Sequence, residues 1–311
     1  MGATQLFERR EYKYLLPPEV IPQVRAAARS VCTLDRYAGD DGTYRIRSLY
    51  LDTPGRDLFW ANEREQGQRF KARIRCYPGK TSPVFLEIKR REYDVIIKHR
   101  TAISQARWSQ VRGNRWEDWA GIQGADEFIR LVYGHQLEPV TLVEYAREAY
   151  ASQIDDYGRL TLDSYICCQP THEWTLDAND KLWRLVDNPV RTSTPGPVCV
   201  LELKFGTHAP RWMVDLVQGL GLMRYSFSKY CYSAASQNTH DWVPEPVTGR
   251  VARRLSPLGK RRSISVPVEG GLWSPPPPNP TWFHRTAERL RAWGQRLGGD
   301  HHPEQPKGVR G

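Results

Sequence analysis

Between Arg69 and Arg100 the chain passes three times through the same alternation. Arg69-Phe70-Lys71-Ala72-Arg73-Ile74-Arg75-Cys76-Tyr77 is followed by Val84-Phe85-Leu86-Glu87-Ile88-Lys89, then by Val95-Ile96-Ile97-Lys98-His99-Arg100. Charged and apolar residues alternate with a period of two, which is the pattern of a β-strand. The alternation sends Lys71, Arg73 and Arg75 to one face and Phe70, Ala72, Ile74 and Cys76 to the other. Glu87 and Lys89 share a face, as do Lys98 and Arg100. One such strand is an ordinary solvated face; three concentrate a single sign of charge. Two like charges about 6 Å apart repel by roughly 3 kcal/mol at an effective dielectric near 20. A few such pairs rival the ~5–15 kcal/mol that stabilises a typical domain. A sheet curled on such a face needs interleaved carboxylates or a bound polyanion.

The same pattern recurs along the chain. Phe7 to Leu15 reads as a strand with Arg9, Glu11 and Lys13 on one face, and Pro17-Pro18 opens a helix through Val31 with Val20, Val24 and Ala28 at helical spacing. Tyr44 to Thr53 is a strand in which Arg45 and Arg47 share a face, ended by Thr53-Pro54-Gly55. Beyond the three central strands, helices are expected over Ala102–Arg112 and Asp126–Tyr133. Val140 to Ala151 returns to strand; Glu144 and Arg147 have opposite parity, so a shared face would require a bulge or a strand end. Arg159 to Tyr165 places Arg159, Thr161 and Asp163 together, and Val198 to Phe205 carries Glu202 and Lys204 two apart. A helix over Pro210–Leu220 and the segment Tyr225 to Tyr230 follow. Eight strands thus offer a charged face. The geometry that unites them is an α+β fold: an eight-stranded antiparallel β-barrel with a charged interior and helices packed outside.

Composition narrows the partner. The net charge of +10 points to an acidic one: nucleic acid, an anionic membrane or a phosphorylated ligand. Nucleic acid is disfavoured, because the basic residues lie on strands beside carboxylates and the aromatics are not patterned for base stacking. The six cysteines form no Cys-x-x-Cys pair, so buried free thiols are expected. With no apolar signal core at the N-terminus and no run near the ~20 residues of a membrane span, the reading is a reducing, cytoplasmic protein. From residue 241 the composition changes: twelve lysines and arginines stand against six acids, with the proline run 275–278. The expected division is a folded domain over 1–240 and a basic, Pro-rich, mostly disordered tail over 241–311. Within that tail, 281–297 has amphipathic helical spacing, with Phe283, Ala287, Leu290 and Leu297 opposite Arg285, Arg289, Arg291 and Arg296. Such a helix docks on the barrel or lies on an anionic membrane.

Six ordered motifs carry a resemblance. Arg9-x-Glu11-x-Lys13-Tyr14, Arg47-Ser48-Leu49-Tyr50-Leu51-Asp52-Thr53, Lys71-x-Arg73-x-Arg75, Leu86-Glu87-Ile88-Lys89, Leu201-Glu202-Leu203-Lys204 and Ser228-Lys229-Tyr230 together resemble the VTC domain. This is the polyphosphate polymerase module of the triphosphate tunnel metalloenzyme (CYTH-like) superfamily. The resemblance covers about residues 5–235 and implies an eight-stranded tunnel that transfers the γ-phosphate of ATP to a growing polyphosphate chain with Mn²⁺ or Mg²⁺. It implies Lys13, Arg73, Arg75, Lys89 and Lys229 as catalytic. It implies Arg9, Arg45, Arg47, Lys71, Lys98, Arg100, Arg147, Arg159, Lys204 and Ser228 as phosphate-binding. Glu202 is implied as principal metal ligand, with Glu87 and Glu11 as helpers. ATP or triphosphate and polyphosphate are the implied ligands, and the basic tail offers contact to a membrane protein or an anionic membrane.

Two positions depart from the pattern. Arg9 stands where the superfamily triphosphatases have their first glutamate, which argues against a pure triphosphatase. Ser226 stands where the polymerases carry a lysine, one cation fewer for holding the polymer. A binding module for polyphosphate, nucleotide or inositol phosphates is the alternative to an enzyme. No Gly-x-x-x-x-Gly-Lys loop is present, and His99 points away from Lys98 and Arg100.

Overall fold

The computed structural model describes residues 10–79, 83–93, 95–112, 116–155, 157–187, 192 and 198–237. Arg9, the tail from 241 and its 281–297 segment lie outside the described residues.

The strands are β1 (Arg10–Leu16), β2 (Cys32–Leu34), β3 (Tyr44–Asp52), β4 (Gln68–Cys76), β5 (Val84–Glu92), β6 (Val95–Ile103), β7 (Glu138–Ser152), β8 (Arg159–Pro170), β9 (Arg184–Leu185) and β10 (Cys199–Phe205). Eight of them form one antiparallel path, β1-β10-β8-β7-β3-β4-β5-β6; β2 pairs with β7 and β9 with β8. These eight are the strands read from the sequence. Among the described residues no ladder joins the edge strands β1 and β6, so the sheet is curled without hydrogen-bonded closure. Side chains meet across the seam instead: Lys89 on β5 donates to Glu11 on β1 at 3.1 Å.

Helices cover the outer surface as the apolar rows dictate. Helix α1 (Ile21–Val31) buries Val24, Ala28 and Val31. With α6 (Arg211–Gly219) it covers Leu160, Leu162, Leu201 and Leu203 of β8 and β10. It begins later than Pro17-Pro18, whose carbonyls accept turn hydrogen bonds from Val20 and Ile21. Helices α3 (Gln105–Val111), α4 (Trp116–Trp119) and α5 (Asp126–Gly134) cover Ala72, Ile74, Leu86 and Ile88 of β4 and β5. Helix α3 is shorter than expected, because Ala102 and Ile103 remain in β6 and the Ser104 side chain caps it by accepting from the Arg107 amide.

The last helix differs. Helix α7 (Lys229–Ala235), with α2 (Asp57–Glu63) beside it, packs Tyr230 and Cys231 against Ile46, Tyr50, Val143 and Tyr145. Tyr50, Tyr145 and Tyr230 all face the enclosed cavity, so α7 sits on the concave side of the sheet. Buried Asp52 fixes this arrangement by accepting from the Leu58 and Phe59 amides and from the Tyr230 hydroxyl. The pairing of β7 with β8 slips between Glu144 and Ala146, where β8 carries an extra residue and Tyr165 takes φ 55°. All six cysteines are free thiols, four of them buried. No helix among the described residues is long and apolar enough to cross a membrane.

Candidate functional site

The concave face encloses a cavity of about 1240 Å³. Lys13 and Glu11 reach it from β1, Lys71, Arg73 and Arg75 from β4, and Lys89 from β5. Lys98 and Arg100 enter from β6, Arg147 from β7, Arg159 from β8, Glu202 and Lys204 from β10, and Ser228 and Lys229 from α7. The period of two explains this convergence, since each strand turns its charged row the same way. With Arg10 and Arg36, thirteen lysines and arginines line the cavity against three carboxylates, Glu11, Asp35 and Glu202. The wall is strongly positive.

Two further carboxylates lie behind that lining. Glu87, 1% exposed, is surrounded by Arg73 at 2.7 Å, Lys98 at 3.1 Å, Arg100 at 3.3 Å and Arg75 at 3.7 Å. Burial alone raises its pKa, but these cations hold it well below the carboxylate range. Asp163, fully buried, takes both Arg147 and Lys229. Glu202 is engaged by Lys204 at 2.6 Å, Lys229 at 3.2 Å, Arg147 at 3.5 Å and Lys13 at 3.7 Å. It too is held far below its ordinary value against the effect of burial. Burial acts the other way on Lys229, yet Asp163 and Glu202 raise it above the lysine range.

Lys71 is different. Its ammonium donates to Ser228 Oγ at 2.7 Å and faces Lys89 across the β4–β5 pair. Among the described residues no carboxylate ion pair holds it. Burial, with Lys13 and Lys89 adding to it against Cys231 and Tyr50, brings its pKa down to about 8.

Three expected site residues lie elsewhere. Arg45 and Arg47 do not line the cavity: β3 turns Tyr44 and Tyr50 inward, and the arginines project from the other face. There Glu144 accepts from Arg45 Nε at 2.8 Å and from Arg47 Nε at 2.7 Å, and Arg47 also donates to the Leu176 carbonyl at 2.8 Å. Glu144 and Arg147 stay on opposite faces, as their parity implies, because the extra residue sits on β8 and leaves the parity of β7 intact. Glu87 is the third: it lies under the wall with four cations around it and does not line the cavity.

Tyr50, Tyr145 and Phe85 belong to the site although their apolar character hid them. Tyr50 accepts from Arg73 at 3.0 Å, and although burial raises its pKa, Arg73 and Arg75 bring it below the ordinary value. Phe85 lies under Arg100 at 3.6 Å. Phe85 shares the parity of Glu87 and Lys89, and Tyr145 that of Arg147, whereas Tyr50 stands on the row opposite Arg45 and Arg47.

The donor set for a hard cation is small. Among the described residues no three His, Cys, Asp or Glu side chains gather as a metal site. Glu11 and Glu202 remain, both on the cavity face and both touching Lys13. A Mg²⁺-like ion bound through one or two carboxylates and substrate phosphates fits that pair; an all-protein cage does not.

Comparison with known proteins comes from three directions. A family model described as VTC domain matches residues 8–238. No curated protein matches the sequence. Solved structures that align with the chain include PH1819 from Pyrococcus horikoshii OT3, 13% identical, with 74% of this chain and 98% of that chain covered at a TM-score of 0.38. HpAC1 from Hippeastrum, described as having a dominant triphosphatase activity, is 17% identical, with 67% and 84% covered at a TM-score of 0.39.

Proposed function

The chain belongs to the VTC domain family, and we propose that its tunnel binds the triphosphate of ATP and a polyphosphate chain and joins them by phosphoryl transfer. The carrying observation is the enclosed wall of thirteen cations against three carboxylates. Such a wall is self-repelling when empty and is relieved by a linear polyanion of phosphate units.

In this reading a terminal phosphate oxygen of the chain attacks the γ-phosphorus while the bond to the β-phosphate oxygen breaks, and ADP leaves. The transition state is loose, so positioning and charge compensation are the protein's main contributions. Arg73, Arg75 and Arg147 grip phosphate oxygens with paired N–H donors, and Lys13, Lys71, Lys89 and Lys229 supply point charges. Glu87 and Asp163 fix the arginines beforehand, so little reorganisation accompanies the reaction. Glu202 and Glu11 are the residues that would hold a divalent cation, Mn²⁺ or Mg²⁺, which would supply further charge neutralisation. For the basic segment beyond residue 240 we propose contact with a membrane protein or an anionic membrane as its role.

One observation favours a second reading, a non-catalytic binding module. Glu11 and Glu202 are each already engaged by at least two lysines, so neither requires a metal. Incubation with ATP and Mn²⁺, followed by gel electrophoresis and ³¹P NMR, separates the two. Polymer supports the polymerase, and tripolyphosphate binding without turnover under any divalent metal supports the module. Absence of both refutes the tunnel reading altogether.

A further inference from the structure

Four charges in the wall form a closed ring. Arg147 donates to Asp163 through Nε at 2.6 Å and Nη2 at 2.7 Å, and reaches Glu202 at 3.5 Å. Lys229 completes it, 2.5 Å from Asp163 and 3.2 Å from Glu202. The two carboxylates are not equivalent. Glu202 lines the cavity, whereas Asp163 does not and is fully buried. Strand register explains the difference: Asp163 stands opposite Arg147 on β7 and opposite apolar Val200 on β10. The cross-strand pair gives it the two-pronged geometry, and Val200 keeps water away.

We propose that Asp163 is a positioning residue that holds Arg147 and Lys229 in their phosphate-facing places independently of Glu202. The inference rests on the phosphate-binding reading of the tunnel. Its consequence is a division of labour: Glu202 can give up its lysines to a ligand or a metal without loosening the wall, because the inner carboxylate keeps both cations fixed. A merely compensating charge behaves otherwise. Removing it makes the tunnel more positive and tightens any polyanion.

Two substitutions of equal charge therefore have opposite effects. Metal-free tripolyphosphate affinity is measured by calorimetry for wild type, Glu202→Gln and Asp163→Asn. Glu202→Gln is expected to bind more tightly, since the clamp on Arg147 survives. Asp163→Asn is expected to bind about tenfold more weakly in spite of the added positive charge, the usual direction when one partner of a buried charged pair is truncated. In an Arg147→Met background the effect of Asp163→Asn shrinks to less than about half its size if Asp163 acts through Arg147. Tightening in Asp163→Asn, or full additivity with Arg147→Met, overturns the proposal. If Asp163→Asn does not fold, the Arg147 Nε–H resonance decides. It remains protected from exchange in Glu202→Gln if Asp163 alone suffices to hold the guanidinium, and its loss there overturns the proposal. A wild type that binds no tripolyphosphate refutes the tunnel reading itself, which is a different outcome from tight wild-type binding with the wrong sign in the variant.

Discussion

Lys71 gives the tunnel a measurable proton linkage. Its ammonium is half-buried, faces Lys89 in register, bonds only to the Ser228 hydroxyl among the described residues, and has its pKa brought down to about 8 by desolvation. A bound triphosphate supplies the anion it lacks and moves the value back toward the ordinary lysine range. Binding therefore takes up a proton on this side chain, about half a proton per ligand at pH 8 and about a tenth at pH 7. The sign follows: affinity is full below pH 8 and falls as pH rises through it, by about tenfold between pH 7 and 9 for this one group. Desolvation also brings Lys98, although its side chain is 45% exposed, down to about 8 with Glu87 at 3.1 Å, so the Lys71 share is read as a difference. Calorimetry of tripolyphosphate binding at pH 8, in two buffers of different protonation enthalpy, gives the proton count for wild type and Lys71→Arg. The arginine keeps its charge throughout, so its count is lower by about half a proton. The ligand-free fold carries the complementary sign. A lysine depressed from 10.5 to about 8 costs on the order of 3 kcal/mol below pH 8, a cost that fades by about pH 10.5. Lys71→Met thus raises the thermal midpoint at pH 7 and not at pH 11. Equal proton counts in wild type and Lys71→Arg refute the argument.

Three further outcomes are expected. Glu87→Gln leaves four cations without their buried counter-charge and lowers stability by about 3–5 kcal/mol at neutral pH in denaturant titration; because the Glu87 pKa is depressed in the fold, the wild-type advantage persists above the ordinary carboxylate range and is lost as pH falls toward 2. The pair Arg73→Ala/Arg75→Ala remains folded by circular dichroism and loses tripolyphosphate binding by more than about tenfold, whereas Arg45→Ala/Arg47→Ala leaves affinity within about twofold, since those arginines face Glu144. A chain ended at His240 keeps its thermal midpoint within about 5 °C of the full chain, because a charged, Pro-rich segment buries little apolar surface; a larger drop places 241–311 in the fold.

The architecture was legible because one signal repeats. Period-two charge on eight segments gave the strands, and the apolar rows between the charges gave the helix-covered side, where Ala72, Ile74, Leu86 and Ile88 pack. Alternation does not say which row faces inward. On β4 the charged row is concave, but on β3 the concave row is Tyr44, Ile46, Ser48 and Tyr50, and the two arginines project outward. The same ambiguity hid the position of α7. Tyr225 to Tyr230 reads as one more polar-aromatic segment, and only the inward patch of Ile46, Val143 and Ile166 gives a helix there something to bury.

The carboxylates show the limit most clearly. In the sequence Glu11, Glu87 and Glu202 look alike, each two residues from a lysine. In the fold they differ by depth. Glu87 is sealed under four cations, Glu11 bridges the seam to Lys89, and Glu202 faces the cavity with a second carboxylate, Asp163, behind it. Depth is set by what stands on the neighbouring strand, and that depends on register. Asp163 could be read from its row with Arg159 and Thr161 as facing inward, but not as the residue that fixes Arg147. A positive tunnel therefore requires two kinds of acid. Those behind the lining, Glu87 and Asp163, hold the cations apart and in place, whereas Glu202 and Glu11 line the cavity. Under the proposed function only the cavity-lining pair meets a ligand without dismantling the wall.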